Sequence, residues 1–251
     1  MTVRLEIQGS TAHLLIDRPA RRGAFDLVMW TALPGLLAEA ADDPAVRLLV
    51  LRSATAGMFC AGADIAELLA HKDDPQWRTA NQRAINRAQF ELARLALPTI
   101  AFVDGDCIGG GCGLALACDV RIAAPHARFG ITPARLGLVY PLHDVKLLID
   151  LVGAGQARRL LFTGSLIDAD EALRIGLVEA LGADWSEFAE PIQAASPHSV
   201  QAIKRFIRRV LDGQVEDDPA TLASFAEAFT GPDFLEGAAA FVAKRPPDFR
   251  S

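Results

Sequence analysis

The chain has 251 residues, of which 51% are hydrophobic and 22% are charged. This balance supports a buried core and excludes a disordered or fibrous protein, because a disordered chain carries too few apolar residues to form one. The formal net charge of −6 at pH 7 argues against a dedicated nucleic-acid-binding protein, which carries a basic surplus.

The first half of the chain alternates short apolar runs with longer amphipathic ones. The short runs are typical of strands and predict them at 3–7, 12–16, 46–51, 99–103 and 120–124. The longer runs predict helices at 27–41 with Asp26 as N-cap, at 75–97 and at 112–118. Pro34 predicts a kink or a restart in the first of these helices, since proline lacks the N–H that a helix interior needs.

The chain from about residue 144 onward is predicted to be almost wholly helical. The predicted helices lie at 145–151, 155–162, 169–175, 186–195, 197–211, 219–229 and 234–244, with Ser196 as the N-cap of the helix at 197–211. The pattern therefore predicts an α/β core over residues 1–190, followed by a C-terminal helical region over residues 191–251.

Common cofactor and metal motifs are absent from the sequence. The glycine-rich run at 109–113 lacks the third glycine of a dinucleotide fingerprint, and the four cysteines and five histidines match no metal-binding spacing. We therefore expect no metal, no separate cofactor and reduced thiols. No apolar run reaches the length of a signal peptide or a membrane span, which predicts a cytoplasmic protein without a membrane partner.

Two strand-to-helix junctions consist almost entirely of small residues, at 59–65 and at 103–111. Small residues at a helix N-terminus leave backbone N–H groups open to a ligand oxygen, and the helix dipole adds partial positive charge there. Two such donors aimed at one point would form an oxyanion hole. Either junction alone is better explained by a turn and close helix packing.

Taken together, the motifs resemble the crotonase family, the enoyl-CoA hydratase/isomerase superfamily, in the same order along almost the whole chain. The matching segments are IDRPARRGAF at 16–25, AGADI at 61–65, PTIA at 98–101, the triple glycine at 109–111, ACD at 117–119, FG at 129–130, LGL at 136–138, FTG at 162–164, EALRIGLV at 171–178 and FVAKR at 241–245.

This resemblance implies an α/β fold in which ββα turns form a spiral, with a C-terminal helical trimerisation region in a homotrimer or a dimer of trimers. It implies an acyl-CoA substrate, so that coenzyme A enters as part of the substrate. The thioester oxygen would lie between the N–H groups of Ala63 and Gly110. Contacts to the substrate and its CoA are expected from Arg22, Ala61, Asp64, Ile65, Phe241 and Lys244.

The chain departs from the family at two positions. Hydratases of the family carry two glutamates that hold and activate water, and the corresponding residues here are Gly113 and Pro133. A positioned general acid or base contributes about 10²–10⁴-fold in rate, so their loss argues against efficient hydration. An enoyl-CoA hydratase/isomerase-like enzyme is the main hypothesis. The alternatives are a decarboxylase of a malonyl-CoA-type thioester, which needs no carboxylate base, and a non-catalytic acyl-CoA-binding scaffold.

Candidate replacements for the glutamates lie in the loop at 131–144, which resembles that of methylmalonyl-CoA decarboxylase-like members. The phenol of Tyr140 could orient a carboxylate or supply a proton, or Tyr140 could simply be a core aromatic. His143 could act as a base oriented by Asp144, whereas Asp144 could instead be the N-cap of the following helix. Cys112 lies near the expected oxyanion hole and is interpreted as packing.

Overall fold

The computed structural model describes residues 2–249 and contains two β-sheets surrounded by helices. The strands are β1 (Val3–Gln8), β2 (Thr11–Ile16), β3 (Leu48–Ser53), β4 (Thr99–Val103), β5 (Asp106–Ile108), β6 (Val120–Ala123), β7 (Arg128–Gly130), β8 (Leu166–Asp168) and β9 (Ala180–Leu181). The helices are α1 (Leu27–Asp42), α2 (Ile65–Ala70), α3 (Pro75–Ala93), α4 (Gly110–Ala117), α5 (Leu142–Thr163), α6 (Ala169–Arg174), α7 (Ser186–Ala194), α8 (Pro197–Leu211), α9 (Pro219–Ala228) and α10 (Pro232–Val242).

The larger sheet has the strand order β1-β2-β3-β4-β6-β9, with an antiparallel hairpin of β1 and β2 and parallel pairing beyond it. Both faces are covered, as is usual for parallel strands. Leu49 and Leu51 of β3 face the main core, which includes Leu33 of α1. Leu48 and Val50 face the other side, and the second core there includes Ala189 of α7.

The smaller sheet has the order β5-β7-β8, and it adjoins α4. Cys60 and Cys107 form an isolated parallel bridge that joins the segment after β3 to β5. A Cβ added to Gly111 would lie 2.5 Å from the Cys60 carbonyl oxygen, so only glycine allows α4 to pack this closely. This contact places the start of α4 beside the segment at 60–64.

Several predictions from the sequence are confirmed by the structure. The strand at Thr99–Val103 and the helix at Pro197–Leu211 have the expected bounds, and Ser196 and Asp26 cap their helices through side-chain oxygens. The helix does not restart at Pro34, because α1 continues through this buried proline.

Other boundaries differ for local reasons. The helix predicted to reach residue 97 ends at Ala93, because Leu95 and Leu97 are buried in the irregular segment that leads into β4. The predicted helix at 112–118 begins two residues earlier, at Gly110. The chain after residue 144 is less helical than expected, since it also contributes β8 and β9.

The start of α5 corrects the prediction for Asp144. The helix begins at Leu142 with Pro141 as its N-cap, so Asp144 lies inside the first turn and is not the cap. The predicted break between the helices at 145–151 and 155–162 is confirmed, because α5 consists of two helical parts that meet at Gly153, where φ is 71°. Because Asp144 is not the N-cap, its side chain is available for another role.

Candidate active site

The first candidate donor is the backbone N–H of Ala63, which lies beside the N-terminal loop. Phe25 donates to Gly62 O over 2.7 Å, and Asp64 donates to Phe25 O over 2.8 Å. In this parallel pairing the N–H of Ala63 points away from Phe25. Among the hydrogen bonds within residues 2–249, the Ala63 N–H has no acceptor.

The second candidate donor is the N–H of Gly110, the first residue of α4, where helix geometry supplies no acceptor. The described chain offers it none either. A Cβ added to Gly110 would lie 3.6 Å from the Ala63 nitrogen, and one added to Gly62 would lie 3.2 Å from the Gly110 nitrogen. Ala63 and Gly110 are each only partly buried. The two amides are therefore neighbours, as an oxyanion hole would require.

Trp30 of α1 forms a wall beside these amides, which the sequence analysis missed. The Cζ2 atom of its indole would lie 3.2 Å from a Cβ on Gly110, and its ring packs against Phe25 with 4.5 Å between centroids. The indole is buried, and its Nε1 has no hydrogen-bond partner within residues 2–249. Its position in the apolar stripe of α1 made it look like an ordinary core residue.

Asp64 fixes the orientation of the segment that carries Ala63. Its carboxylate accepts hydrogen bonds from the N–H groups of Ala66 and Glu67 at the start of α2, and it lies 2.9 Å from Arg18 Nη2. Although burial acts to raise the pKa of Asp64, these amides and the guanidinium lower it overall. The contacts of the Asp64 carboxylate are therefore made within the protein, and its predicted contact with the substrate stays a prediction. The neighbouring Ile65 is exposed, so a ligand could reach its side chain.

A cavity of about 400 Å³ lies next to the two small-residue segments. Its wall includes Ala61 and Ile108, which belong to these segments, and three basic side chains. Arg128 is paired with Asp106 at 2.8 Å, and His126 lies 3.1 Å from Asp104. The third, Arg22, is exposed and has no carboxylate partner within residues 2–249, which makes it the available cation of this cavity.

A buried polar cluster lies against α4, next to Gly109 and Gly113. The hydroxyl of Tyr140 donates to Gly109 O over 3.1 Å. Asp144 is 0% exposed, and neither of its carboxyl oxygens has a hydrogen-bond donor within residues 2–249. Gln89 of α3 is equally buried, and its amide is also without a partner in that part of the chain.

The electrostatics of this cluster follow from burial. Burial raises the pKa of the Asp144 carboxyl, and His143 and Gln89 offset part of that rise. Burial, together with the charge of Asp144, also raises the pKa of Tyr140 well above its usual range. His143 is partly exposed, and its Nδ1 lies 3.5 Å from Asp144 Oδ1. Tyr140, His143 and Asp144 are thus brought together, as the hypothesis of a loop site requires.

Comparison with known proteins identifies the family. The sequence profile described as enoyl-CoA hydratase/isomerase matches residues 6–251. The chain belongs to the enoyl-CoA hydratase/isomerase family. It is 34% identical to a short-chain-enoyl-CoA hydratase of Clostridium acetobutylicum over 97% of this chain and 95% of that one. It is 35% identical to the mitochondrial enoyl-CoA hydratase domain-containing protein 2 of Mus musculus over 96% of this chain and 84% of that one.

A solved structure agrees with this assignment. The crystal structure of an enoyl-CoA hydratase/isomerase family protein from Hyphomonas neptunium superimposes with a TM-score of 0.95 at 38% identity, covering 99% of this chain and 97% of that one. The predicted crotonase-type α/β spiral is therefore confirmed.

The two positions where the family resemblance predicts glutamates are built differently in this enoyl-CoA hydratase/isomerase family member. A Cβ added to Gly113 would lie 2.1 Å from Gln89 Nε2 and 2.6 Å from Asp144 Oδ2, so side chains from two other helices fill that space. Pro133 begins a short 3₁₀ turn, Pro133–Leu136. Gln89 was missed because its chemistry shows only in three dimensions. The available signal was a glutamine in the apolar stripe of α3, between Ile85 and Leu92.

Phe241 and Lys244, the predicted CoA contacts near the C-terminus, do not line the cavity of Arg22 in this chain. Phe241 is 85% exposed in the last turn of α10, and Lys244 is exposed just after it. Their contact with CoA stays a prediction. It would require Phe241 and Lys244 of one subunit to reach the cavity of a neighbouring subunit.

Arg121 supports the site from the opposite end of α4, and the sequence analysis missed it. Its buried guanidinium donates to the carbonyl oxygens of Ala115 and Cys118 and forms an ion pair with Glu179. The helix that offers the Gly110 N–H at its start thus has its C-terminal carbonyls satisfied by a cation, which suits the helix dipole. Arginine at a strand start has no sequence signature for this role.

The cysteines near the site are packing residues, as expected for Cys112. Its thiol donates to Cys107 O over 2.8 Å inside the core. Burial raises the pKa of Cys60 to about 12, which excludes a resting thiolate there.

Within residues 2–249, no group of three or more histidine, cysteine or acidic side chains is arranged to hold a metal ion. No helix in that range has the length and apolar character to span a membrane.

Proposed function

We propose that this family member is an enzyme that acts on an acyl-CoA thioester and stabilises an enolate oxygen with the N–H groups of Ala63 and Gly110. The observation that carries the proposal is the pair of neighbouring, acceptor-free amides. Fixed donors aimed at a developing negative charge stabilise it without reorganisation, and one such donor is worth about 3–4 kcal/mol. The relatives' names support hydration of an enoyl-CoA, and the family description adds isomerisation as a second reaction class.

The cavity lined by Ala61 and Ile108, each two residues before a donor amide in the chain, suits the CoA portion of this substrate. Arg22 is its available cation and would face the phosphates, while Ala61 and Ile108 offer backbone and small apolar surface to the pantetheine arm. Because CoA arrives as part of the substrate, the proposal needs no separate cofactor.

Self-association is part of the proposal. Large apolar side chains of the C-terminal helices are exposed in the single chain, among them Phe225, Phe229, Leu235 and Phe241. Apolar surface on this scale usually marks an interaction site. We expect a homotrimer or a dimer of trimers to cover it, which light scattering would measure.

Decarboxylation of a malonyl-CoA-type thioester ranks below hydration and isomerisation. Its sequence argument was that Gly113 and Pro133 leave no carboxylate to repel the substrate's own carboxylate. Asp144 lies beside Gly113, and its carboxylate would repel the substrate in the same way. Decarboxylation would therefore require a protonated Asp144. A non-catalytic scaffold is the remaining alternative.

The first experiment incubates the protein in D₂O with crotonyl-CoA, a 3-enoyl-CoA, malonyl-CoA and methylmalonyl-CoA and follows each by mass spectrometry. Hydration adds water, decarboxylation removes CO₂ and enolisation exchanges α-hydrogens for deuterium. Hydration, isomerisation or α-exchange supports the proposal. Loss of CO₂ alone would favour the decarboxylase, and an unchanged panel would favour the scaffold.

The second experiment tests the donor itself with Gly110→Pro and its matched control Gly110→Ala. Proline is tolerated at the first position of a helix and replaces the N–H with a ring carbon, whereas alanine adds the same Cβ and keeps the N–H. We expect Gly110→Pro to lose about 10²–10³-fold in kcat and Gly110→Ala to lose far less. Equal losses in both variants would show that bulk, and not the missing N–H, is responsible.

A further inference from the structure

The carboxyl group of Asp144 lies against the helix that carries one of the two donor amides. Gly113 follows Gly110 by three residues, so the two share a side of α4 about one turn apart. A Cβ on Gly113 would lie 2.6 Å from Asp144 Oδ2, which fixes the carboxyl group at that side of the helix.

Neither oxygen of this carboxyl group has a well-formed hydrogen bond from residues 2–249, although His143 lies at ion-pair distance. Buried carboxyl groups almost always have hydrogen bonds, yet Asp144 receives none from residues 2–249. Tyr140 cannot supply one, because its hydroxyl proton is donated to Gly109 O. His143 stays 3.5 Å away, and the amide of Gln89 is itself unpartnered.

An unpartnered acid beside a donor pair suits proton transfer to and from a bound molecule. We infer that Asp144 is the catalytic acid and base that moves the proton at the α-carbon of the thioester, with Gln89 as a positioning residue. This inference rests on the proposed function, since it needs the enolate oxygen to lie at Ala63 and Gly110.

The step balances without a further reactant. The Asp144 carboxylate takes the α-proton, the electrons of the C–H bond form the C=C bond of the enolate, and the C=O electrons move to the oxygen held by the two amides. In the reverse direction the Asp144 carboxyl returns the proton to the α-carbon, or to the γ-carbon of an enoyl thioester, which isomerises the double bond.

Gln89 suits the positioning role because it reaches the same point from another helix. The same added Cβ on Gly113 would lie 2.1 Å from its Nε2, so the carboxamide and the carboxyl group share one small space. Gln89 is 0% exposed, which prevents it from turning to solvent. In the proposed role, its amide donates to one carboxyl oxygen when the substrate is bound and leaves the other oxygen to exchange the proton.

The test compares Asp144→Asn with the parent for two reactions: deuterium exchange at the α-carbon of butyryl-CoA, and isomerisation of 3-hexenoyl-CoA. Asparagine keeps the shape of aspartate and removes its capacity to take a proton. We expect both rates to fall by about 10²–10⁴-fold, with the dissociation constant for butyryl-CoA unchanged. The matched control is Asp150→Asn on the same helix, where the carboxylate is paired with Lys146 at 2.7 Å; it should leave both rates unchanged.

Asp144→Ser is the second variant, which keeps the test usable if the asparagine variant does not fold. If either folded variant keeps the exchange rate within about threefold of the parent, the assignment of Asp144 is overturned. In that outcome the proposed function still stands if Gly110→Pro loses activity. If the parent itself neither exchanges nor converts any thioester, the proposed function fails together with the role of Asp144.

Gln89→Leu separates positioning from direct chemistry. Leucine has a similar volume but no hydrogen-bonding group, so the carboxyl group of Asp144 loses its nearest neighbouring amide. We expect kcat to fall by about 10-fold with KM unchanged, and the pH at which the rate is half-maximal to rise. An unchanged pH profile would assign Gln89 to packing alone.

Discussion

Arg18 Nη2 lies 2.9 Å from Asp64 Oδ2, and this ion pair joins the N-terminal loop to the segment that carries Ala63. The same nitrogen lies 3.3 Å from Asp26, the N-cap of α1. One guanidinium thus holds the caps of two helices whose starts border the site.

Replacing this arginine should destabilise the protein in a pH-dependent way. We expect Arg18→Met to lower the free energy of unfolding by about 1.5–3 kcal/mol at neutral pH, the range for hydrogen bonds to charged groups. The pKa of Asp64 is lowered in the folded state, so its contribution is present above the unfolded value and is lost as pH falls below about 4. The difference between parent and variant should therefore shrink as the pH falls below that value.

Urea unfolding at neutral pH and at several acidic values measures both effects. Arg21→Met is the matched control, because Arg21 is exposed and has no ion pair within residues 2–249. It should change stability by less than about 0.5 kcal/mol. A difference for Arg18→Met that stays constant down to strong acid would contradict the role given to Asp64.

Gly62 sets the distance between the two donor segments. Its φ is 94°, and a Cβ there would lie 2.7 Å from Ile108 O and 3.2 Å from the Gly110 nitrogen. We expect Gly62→Ala to push the segments apart and to lower kcat by at least about 10²-fold, since a displacement of about 1 Å can cost that much.

Gly9→Ala is the control for backbone strain alone. Gly9 also has positive φ, at 61°, but a Cβ there would meet nothing within 4 Å. Both variants should lose stability in urea unfolding, because alanine disfavours positive φ. Only Gly62→Ala should lose activity per folded molecule, and equal kcat values in the two variants would refute the spacing argument.

The two small-residue segments could be recognised from local sequence, and the family resemblance assigned the donors to Ala63 and Gly110, whereas Asp144 was expected only to orient His143 or to cap a helix. Ala63 and Gly110 lie in short local motifs of small residues, and small residues at a helix start have a direct meaning for backbone access. Asp144 comes into contact with Gly113 and Gln89 only through the packing of α3, α4 and α5. No local sequence pattern predicts this contact between three helices.

The boundaries of helices and strands could likewise be predicted where a local sequence signal marks them, and not elsewhere. Ser196 and the proline after it are a local helix-start signal, and the helix has the predicted bounds. The missed strands β5, β7, β8 and β9 have only two or three residues, too few for a periodic pattern. They exist because neighbouring strands supply their hydrogen bonds.

Thiol chemistry offers a check on the core around the site. Burial raises the pKa of Cys60 and of Cys118 to about 12, and all four cysteines are buried. Since the thiolate is the reactive form, we expect iodoacetamide at mildly alkaline pH to leave the native protein unmodified. Mass spectrometry should show four adducts after unfolding in urea, which serves as the control. Rapid labelling of Cys112 in the native protein would show that the reagent can reach the buried side of α4, contrary to this expectation.

Arg121 is the residue on which we expect α4 to depend most for stability. Its guanidinium is 2% exposed and donates to carbonyl groups of α4, to Leu177 O and to the carboxylate of Glu179. Arg121→Met would leave the carbonyl groups unpaired in the interior and the partly exposed Glu179 carboxylate without its cation, so we expect a loss of about 3 kcal/mol in urea unfolding. Arg121→Lys should recover little, because an ammonium group cannot reproduce the planar set of donors. The matched control is Arg128→Met, which removes an exposed pair with Asp106 and should cost about 1 kcal/mol or less. Similar losses at Arg121 and Arg128 would mean that the C-terminal end of α4 does not need its cation.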